Sequence, residues 1–446
     1  MPSCNKSERF ANKFVIGLAG LGTVGSGLVE MLEENKQEII ARCGHEIVIK
    51  TVAVRDMSKL RKLPPGANLI DNPLQLALDP EIDAVVELIG GLDKAKAIII
   101  EALKKGKNVV TANKALLAED GSEIFHLAAK KKLTIGYEAS VCGAIPIILG
   151  IKDSLAGNRI ISIMGILNGT ANFILSAMTS HGQDFTAALA DAQRLGYAEA
   201  DPTLDIDGFD SAHKLLLLMR VAWGRDFLYN ALEVKGIRNI HRMDIEFARE
   251  FGYRIKLIGQ ARDVRGNIEA GVFPALVHHT LLLARVGGAY NAVRLAGNAS
   301  GPLFLHGLGA GSRPTASAVL GDLIALARGC VYSNTGFNCD ELPQASFLSS
   351  SDAVYPWYVR LMVRDTFGVL RDIAGAMANE QVSIAQVIQK KETPEGVPIV
   401  FMTHAIGACS IQAAMQQLAK SGQLLEPPVY YRALGQTEVE IEASSE

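Results

Sequence analysis

From residue 13 onward, short unbroken apolar runs alternate with longer stretches in which apolar residues return every three or four positions. The first kind has the length of strands buried on both faces, and the second that of helices with one buried stripe. Their alternation predicts βαβ units around a parallel sheet. Residues 14–19 read as the first strand, 24–43 as a helix and 47–54 as the second strand, with 83–89 and 107–111 continuing the sheet. A doubly wound, Rossmann-type α/β domain is therefore expected over 1–136, with 305–335 returning to it.

The pattern changes after Gly136. Helix begins within 146–150, and the strand 159–167 leads into a turn signal at Asn168-Gly169. Runs at 253–264 and 268–277, either side of Arg265-Gly266-Asn267, read as a hairpin, which makes the second sheet mixed or antiparallel. This predicts a second, α+β domain over 137–337, of a kind that often joins subunits, so a homo-oligomer (dimer or tetramer) is expected. The serine-rich stretch 338–354, with Pro343, reads as a linker. Strand 357–364, helix 370–380, strands 384–390 and 397–404 and helix 409–421 then give a βαββα order, most of a ferredoxin-like unit, over 355–435, before a tail at 436–446.

Composition narrows the function. A chain of 446 residues exceeds one hydrophobic core. Lys and Arg total 44 against 47 Asp and Glu, so no basic surplus points to nucleic acid or anionic lipid. The longest apolar runs, such as 215–219, are too short to span a bilayer, and the polar start lacks the order of a signal peptide. The six cysteines (Cys4, Cys43, Cys142, Cys330, Cys339 and Cys409) form no CxxC pair, which suits a reducing cytoplasm. A cytoplasmic protein acting on a small molecule is the expectation.

Gly20-Leu21-Gly22-Thr23-Val24-Gly25 forms G-x-G-x-x-G between a strand and a helix. Gly20 permits the tight turn, Gly22 lets the backbone approach a pyrophosphate, and Gly25 lets helix and strand pack, while amides near Thr23 and Val24 face the anion. Arg55 ends the second strand where NAD-preferring enzymes carry an acid, so it suits the 2′-phosphate of NADP. Asp56 beside it keeps NAD open.

Few segments concentrate acids like 192–214, with Gly196-Tyr197-Ala198-Glu199, Asp201-Pro202, Asp205-Ile206-Asp207-Gly208-Phe209-Asp210 and Lys214. On a helix Asp210 and Lys214 share one face. Such a pair is also a common surface ion pair worth a few tenths of a kcal/mol. The whole segment, however, resembles the signature of homoserine dehydrogenases, A-x-x-x-G-Y-x-E-x-D-P-x-x-D-ϕ-x-G-x-D-x-x-x-K, at every defined position. Thr111-Ala112-Asn113-Lys114-Ala115, Tyr137-Glu138-Ala139-Ser140-Val141-Cys142-Gly143-Ala144 and Leu167-Asn168-Gly169-Thr170-Ala171-Asn172 extend the resemblance over residues 14 to about 330. With the glycine loop starting at Gly20, the monofunctional type is expected rather than a fusion to a kinase.

The resemblance implies reversible, NAD(P)-dependent interconversion of L-homoserine and L-aspartate 4-semialdehyde, in threonine, methionine and isoleucine biosynthesis. It assigns proton transfer to Lys214, with Asp210 at its side and Lys114 near the nicotinamide. A lysine in water, with a pKa of about 10.4, is a poor base until burial or a second cation lowers that value. Glu199 and Asp205 match the substrate-binding acids, which suits an ammonium-bearing substrate, and Tyr197 with the turn Asn168-Gly169-Thr170 would complete the pocket. Glu138, Val141, Gly143 and Ile145 match a loop that holds a monovalent cation, usually sodium, through a carboxylate and main-chain carbonyls. Val363-Arg364-Asp365-Thr366-Phe367-Gly368-Val369-Leu370 looks like the start of an ACT domain, in which Gly368 would admit an amino-acid effector, L-threonine by pathway logic.

Two other readings compete. In an acylating semialdehyde dehydrogenase Cys142 would be the nucleophile, but no histidine lies near it in sequence. A non-enzymatic sensor of dinucleotide and amino acid would need neither Asp210 nor Lys214.

Overall fold

Strand β1 (Asn12–Ala19) is buried on both faces from Ile16 to Ala19, which is why its sequence carries no polar alternation. It lies between β2 (His45–Ala53) and β4 (Ala84–Glu87), both parallel to it. With β3 (Asn68–Ile70), β5 (Asn108–Thr111) and β6 (Ile135–Gly136) the sheet runs β3-β2-β1-β4-β5-β6, the doubly wound dinucleotide-binding order. The order reverses between β1 and β4, where such sheets open a crevice for ligand.

The computed structural model describes residues 12–330, 333–339, 341–349, 351, 353–391 and 393–435. The expected polar leader up to residue 11 and the tail 436–446 lie outside the described residues. Two compact units emerge: one from the chain up to Arg159 with Leu216–Tyr229 and Gly307–Ala345, the other from Ile160–Leu215, Asn230–His306 and the chain from Ser346 onward.

In the first unit, the helix expected over 24–43 is two helices, α1 (Thr23–Glu34) and α2 (Lys36–Cys43). Asn35 ends one and begins the next with φ −103° and ψ 15°, its amide donating to the Met31 carbonyl and its carbonyl accepting from the Ile39 amide. The helix Ser312–Ala327 shares a core with α1, burying Ala316, Val319 and Leu323 together with Leu28 and Val29.

In the second unit, β7 (Ile160–Ile166) precedes α4 (Gly169–His181), and α3 (Lys114–Glu119) belongs to the first unit. Helix α5 (Phe209–Trp223) follows, counted with this unit as far as Leu215, then α6 (Arg242–Glu250) and the hairpin β8 (Tyr253–Val264) and β9 (Asn267–His278). Val264 pairs with Asn267, so the turn is the two residues Arg265 (φ 54°) and Gly266 (φ 86°) rather than three. Two left-handed residues match the strand twist.

Strands β10 (Tyr290–Gly297), β11 (Gly301–Leu308), β12 (Trp357–Val363), β13 (Ile384–Gln389), β14 (Val397–Thr403) and β15 (Val429–Leu434) complete a sheet of order β11-β10-β7-β8-β9-β15-β12-β14-β13, with Glu233–Val234 beside β9. Helices α7 (Val369–Asn379) and α8 (Ala408–Lys420) make the C-terminal part βαββαβ. The strand missing from the sequence reading, β15, runs parallel to β9 through Ala275, Leu276 and Val277 and antiparallel to β12. One core cluster accordingly holds Val277, Val359, Phe401 and Leu434. Among the described residues no helix is long and apolar enough to cross a membrane.

Candidate active site

The glycine loop follows from local sterics. Gly20 has φ +101°, and a Cβ there would lie 2.6 Å from the Leu88 carbonyl oxygen. At Gly25 a Cβ would meet the Gly20 oxygen at 2.3 Å, so α1 could not pack against the loop. Gly22 faces open space and precedes the first turn of α1, leaving Thr23 exposed and Val24 half-buried at a helix N-terminus. A bare main chain, an open side and unspent amides are the donor set a pyrophosphate needs, so these residues fit a dinucleotide.

Neighbouring strand ends are braced by Glu87, buried at the end of β4. Its carboxylate accepts from the Ile89 and Gly90 amides and from Thr111 Oγ1, the last at 2.6 Å. Thr111 in turn accepts from the Asn113 amide, and Asn113 caps α3, whose first residue is Lys114. Sequence reasoning passed over Glu87, although an acid inside an apolar strand was a visible signal.

In the second unit, Asp210 and Lys214 lie one turn apart on α5, with side chains only 7% and 9% exposed. Lys214 Nζ donates to Asp210 Oδ2 and to the Leu167 carbonyl, both at 2.7 Å. Asn168 Nδ2 donates to Asp205 Oδ1 at 2.7 Å and to Asp210 Oδ2 at 2.8 Å, while its Oδ1 caps α4 by accepting from the Ala171 amide. The Asn168-Gly169 pair is thus a helix cap and not a turn. Burial, and then the charge of Asp210, raises the Asp205 carboxyl above its ordinary range. Thr170 donates to the Tyr197 carbonyl at 2.6 Å, and a Cβ on Gly169 would press on the Ala289 oxygen.

This arrangement provides a buried ammonium held by two acceptors next to two carboxylates, which is machinery for moving a proton beside a cationic substrate. Two family models cover most of the chain: homoserine dehydrogenase over residues 146–324, and the homoserine dehydrogenase NAD-binding domain over 20–138. A homoserine dehydrogenase of Neisseria gonorrhoeae is 42% identical over 408 residues, 90% of this chain and 94% of its own. The chain belongs to the homoserine dehydrogenase family. A crystal structure of a homoserine dehydrogenase from Thiobacillus denitrificans matches with a TM-score of 0.90 at 41% identity, covering 95% of this chain and 98% of that one. A hyperthermophilic archaeal homoserine dehydrogenase mutant, solved in complex with NADPH, matches with a TM-score of 0.59 at 28% identity over 70% of this chain and 97% of that one.

Other residues of the homoserine dehydrogenase pattern fall differently. Glu199 and Tyr197 are exposed, and among the described residues no hydrogen bond reaches the Glu199 carboxylate; only its carbonyl accepts, from Gln193. The Tyr197 ring packs 4.8 Å from that of Phe173. Arg55 is exposed beyond β2, whereas Asp56 Oδ1 is taken by the Ser58 amide and hydroxyl at 2.9 and 2.6 Å. Glu138 is buried, and its two carboxylate oxygens accept from the Ile148 and Leu149 amides at 2.9 and 2.7 Å. Val141, Gly143 and Ile145 follow on a loop that Cys142 (φ 56°) and Gly143 (φ 54°) turn back on itself. Gly368, at φ 90°, precedes α7 and lines a cavity of about 240 Å³ with Val363, Asp365, Thr366 and Gln389.

Proposed function

We propose that the reversible oxidation of L-homoserine to L-aspartate 4-semialdehyde is carried out by Lys214, Asp210 and Asp205, held together by Asn168. The observation that carries this reading is the chain of hydrogen bonds from Lys214 through Asp210 and Asn168, all buried, to the half-buried Asp205. Of the three N–H groups of Lys214, two are spent on Asp210 and Leu167, which leaves one for a substrate oxygen. In the reductive direction Lys214 gives that proton to the aldehyde oxygen; in the oxidative direction it takes the hydroxyl proton back. Asp205, costly to ionise in its own pocket, gains a partner when the substrate ammonium arrives. Glu199, matched by the family signature, would meet the same ammonium from the exposed side.

A bound nicotinamide nucleotide supplies or accepts the hydride. Gly20, Gly22 and Gly25 would seat its pyrophosphate, and Lys114 would stand at the nicotinamide end. We assign NADP as the preferred form, because Arg55 is exposed while the Asp56 carboxylate is already engaged by Ser58. The archaeal relative solved with NADPH supports the same choice. For a monovalent cation such as sodium, main-chain oxygens of Glu138, Val141, Gly143 and Ile145 are the fitting donors, since the Glu138 carboxylate anchors a helix start instead.

The C-terminal βαββαβ module, with the open cavity at Gly368, suits feedback by L-threonine. Five described cysteines are free thiols, in keeping with a cytoplasmic enzyme, and the mixed sheet suits assembly into dimers or tetramers. The acylating alternative is disfavoured by Cys142, which is 1% exposed. Purified protein should oxidise NADPH on addition of L-aspartate 4-semialdehyde, without phosphate. Absence of that reaction overturns the reading.

A further inference from the structure

At the opposite end of α4 from Asn168 lies a cavity of about 350 Å³ whose ionisable lining groups are all basic. Arg254 and Lys256, two apart on β8 and so on one face, form its floor, and His279 and Arg285 close its rim. Ser176, Thr179 and Ser180 contribute from α4 at i, i+3 and i+4. No carboxylate lines it.

Charge on the floor is built in, with Lys256 buried and Arg254 half-buried, whereas His279 and Arg285 at the rim are exposed. Lys256 is buried, its Nζ donating to Asn172 Oδ1 at 2.9 Å and to the Val286 carbonyl at 2.5 Å, both neutral acceptors. Burial, and then repulsion from Arg254, pulls the lysine down to about 8. His279 Nδ1 faces the Gly252 carbonyl at 2.8 Å, which fixes a proton on that nitrogen. The buried Ser176 hydroxyl has no hydrogen-bond partner among the described residues. The partial negative charge at the end of α4 opposes an anion, but about half a charge does not offset three cationic side chains.

We propose that this cavity binds a phosphate group, either free or carried by a small phosphorylated metabolite. A phosphate accepts on several oxygens at once, matching two guanidiniums and a hydroxyl, and brings the multiple negative charge that Lys256 and Arg254 lack. The site shares no residue with the acid pocket or the glycine loop, and neither the hydride transfer nor the effector cavity at Gly368 uses its residues.

The test is calorimetric titration of the full chain at constant ionic strength, with NADP saturating so that the glycine loop is filled. Inorganic phosphate, glycerol 3-phosphate and malonate serve as separate probes. Saturable phosphate or phosphomonoester binding is expected, about ten-fold or more weaker in the Arg254→Gln/Arg285→Gln variant. That variant should keep wild-type homoserine turnover without phosphate. Tighter binding of glycerol 3-phosphate than of inorganic phosphate identifies an esterified ligand, and the reverse a free one. Binding unaffected by the double substitution, absence of saturable binding, or stronger binding of malonate overturns the proposal.

Discussion

Asp205 and Asp210 accept from the same amide group, so two carboxylates that would otherwise repel are fixed side by side by one side chain, Asn168. The same residue begins α4, which makes the position of both acids depend on a helix cap.

That dependence can be separated from simple capping. Asn168→Ala should lose about 1 kcal/mol of stability with the cap, and kcat/KM for homoserine by at least about ten-fold, a 1.4 kcal/mol effect. Asn168→Ser retains a capping oxygen but has only one donor, so its melting temperature should stay near wild type while kcat/KM falls as in the alanine variant. A serine variant with full activity would mean that the bridging amide is immaterial.

Lys214→Ala should lower turnover by a factor on the order of 10²–10⁴ with NADPH affinity nearly unchanged, because the ammonium addresses the substrate oxygen and not the phosphates. Lys214→Arg should fare no better, since a guanidinium does not give up its proton. Fluorescence titration of NADPH and steady-state rates check both. Turnover within a few-fold of wild type in the alanine variant would remove Lys214 from the chemistry.

The Asp205 carboxyl, raised by burial and by Asp210, should protonate at higher pH than an ordinary aspartate. Only its ionised form attracts the substrate ammonium, so the homoserine KM should climb as pH falls through that raised value. Asp205→Asn should show a high KM with this limb absent. For folding the sign is opposite: an acid with a raised folded pKa takes up a proton on folding, so its contribution is greatest below the unfolded value and is lost as pH rises through the folded one. Asp205→Asn should therefore be more stable than wild type at neutral pH, with the gap closing in acid, measurable by urea unfolding across pH. A wild-type KM that is flat across that range would contradict the assigned role.

Arg55→Ala should shift the coenzyme ratio toward NAD by loss of a charge-assisted contact of about 1.5 to 3 kcal/mol to the 2′-phosphate. Comparison of kcat/KM for NADP and NAD in both proteins decides it. An unmoved ratio would place the 2′-phosphate away from Arg55.

L-Threonine should inhibit the intact enzyme, and Gly368→Val should lose that response with basal activity kept. A side chain there is strained at φ 90° and would crowd Arg371 at 3.0 Å. Cutting the module away is a poor test, because β15 lies against β9 in the same core. Equal inhibition of both full-length proteins would put threonine elsewhere.

How much of this was legible in the sequence depended on whether the cause was local. β1 and the glycine loop could be read because burial on both faces and steric demand act within a few residues. The Asp210–Lys214 pair could be read because helical geometry sets it. Asn168 could be placed at the pocket only as part of a turn; its bridging of two acids could not be read, because those partners lie 37 and 42 residues away and are joined only by tertiary packing. Glu199 sits six residues before Asp205 in one signature, yet the structure half-buries Asp205 and exposes Glu199. Nothing local distinguishes them. Strand β15 escaped notice because its pairing with β9 crosses much of the chain.

That last pairing has a kinetic side. Residues near position 276 cannot acquire their neighbour on one edge until residues near 433 have been brought back to them, and closing so large a loop is slow. Until then the edge of β9 presents unpaired amides and carbonyls beside an apolar face, the kind of surface on which unfinished chains adhere to one another. Refolding from denaturant should accordingly be limited by arrival of the distal strand. Substitutions at the β9–β15 seam should then reduce the yield of soluble protein even where they leave the chemistry of finished molecules intact.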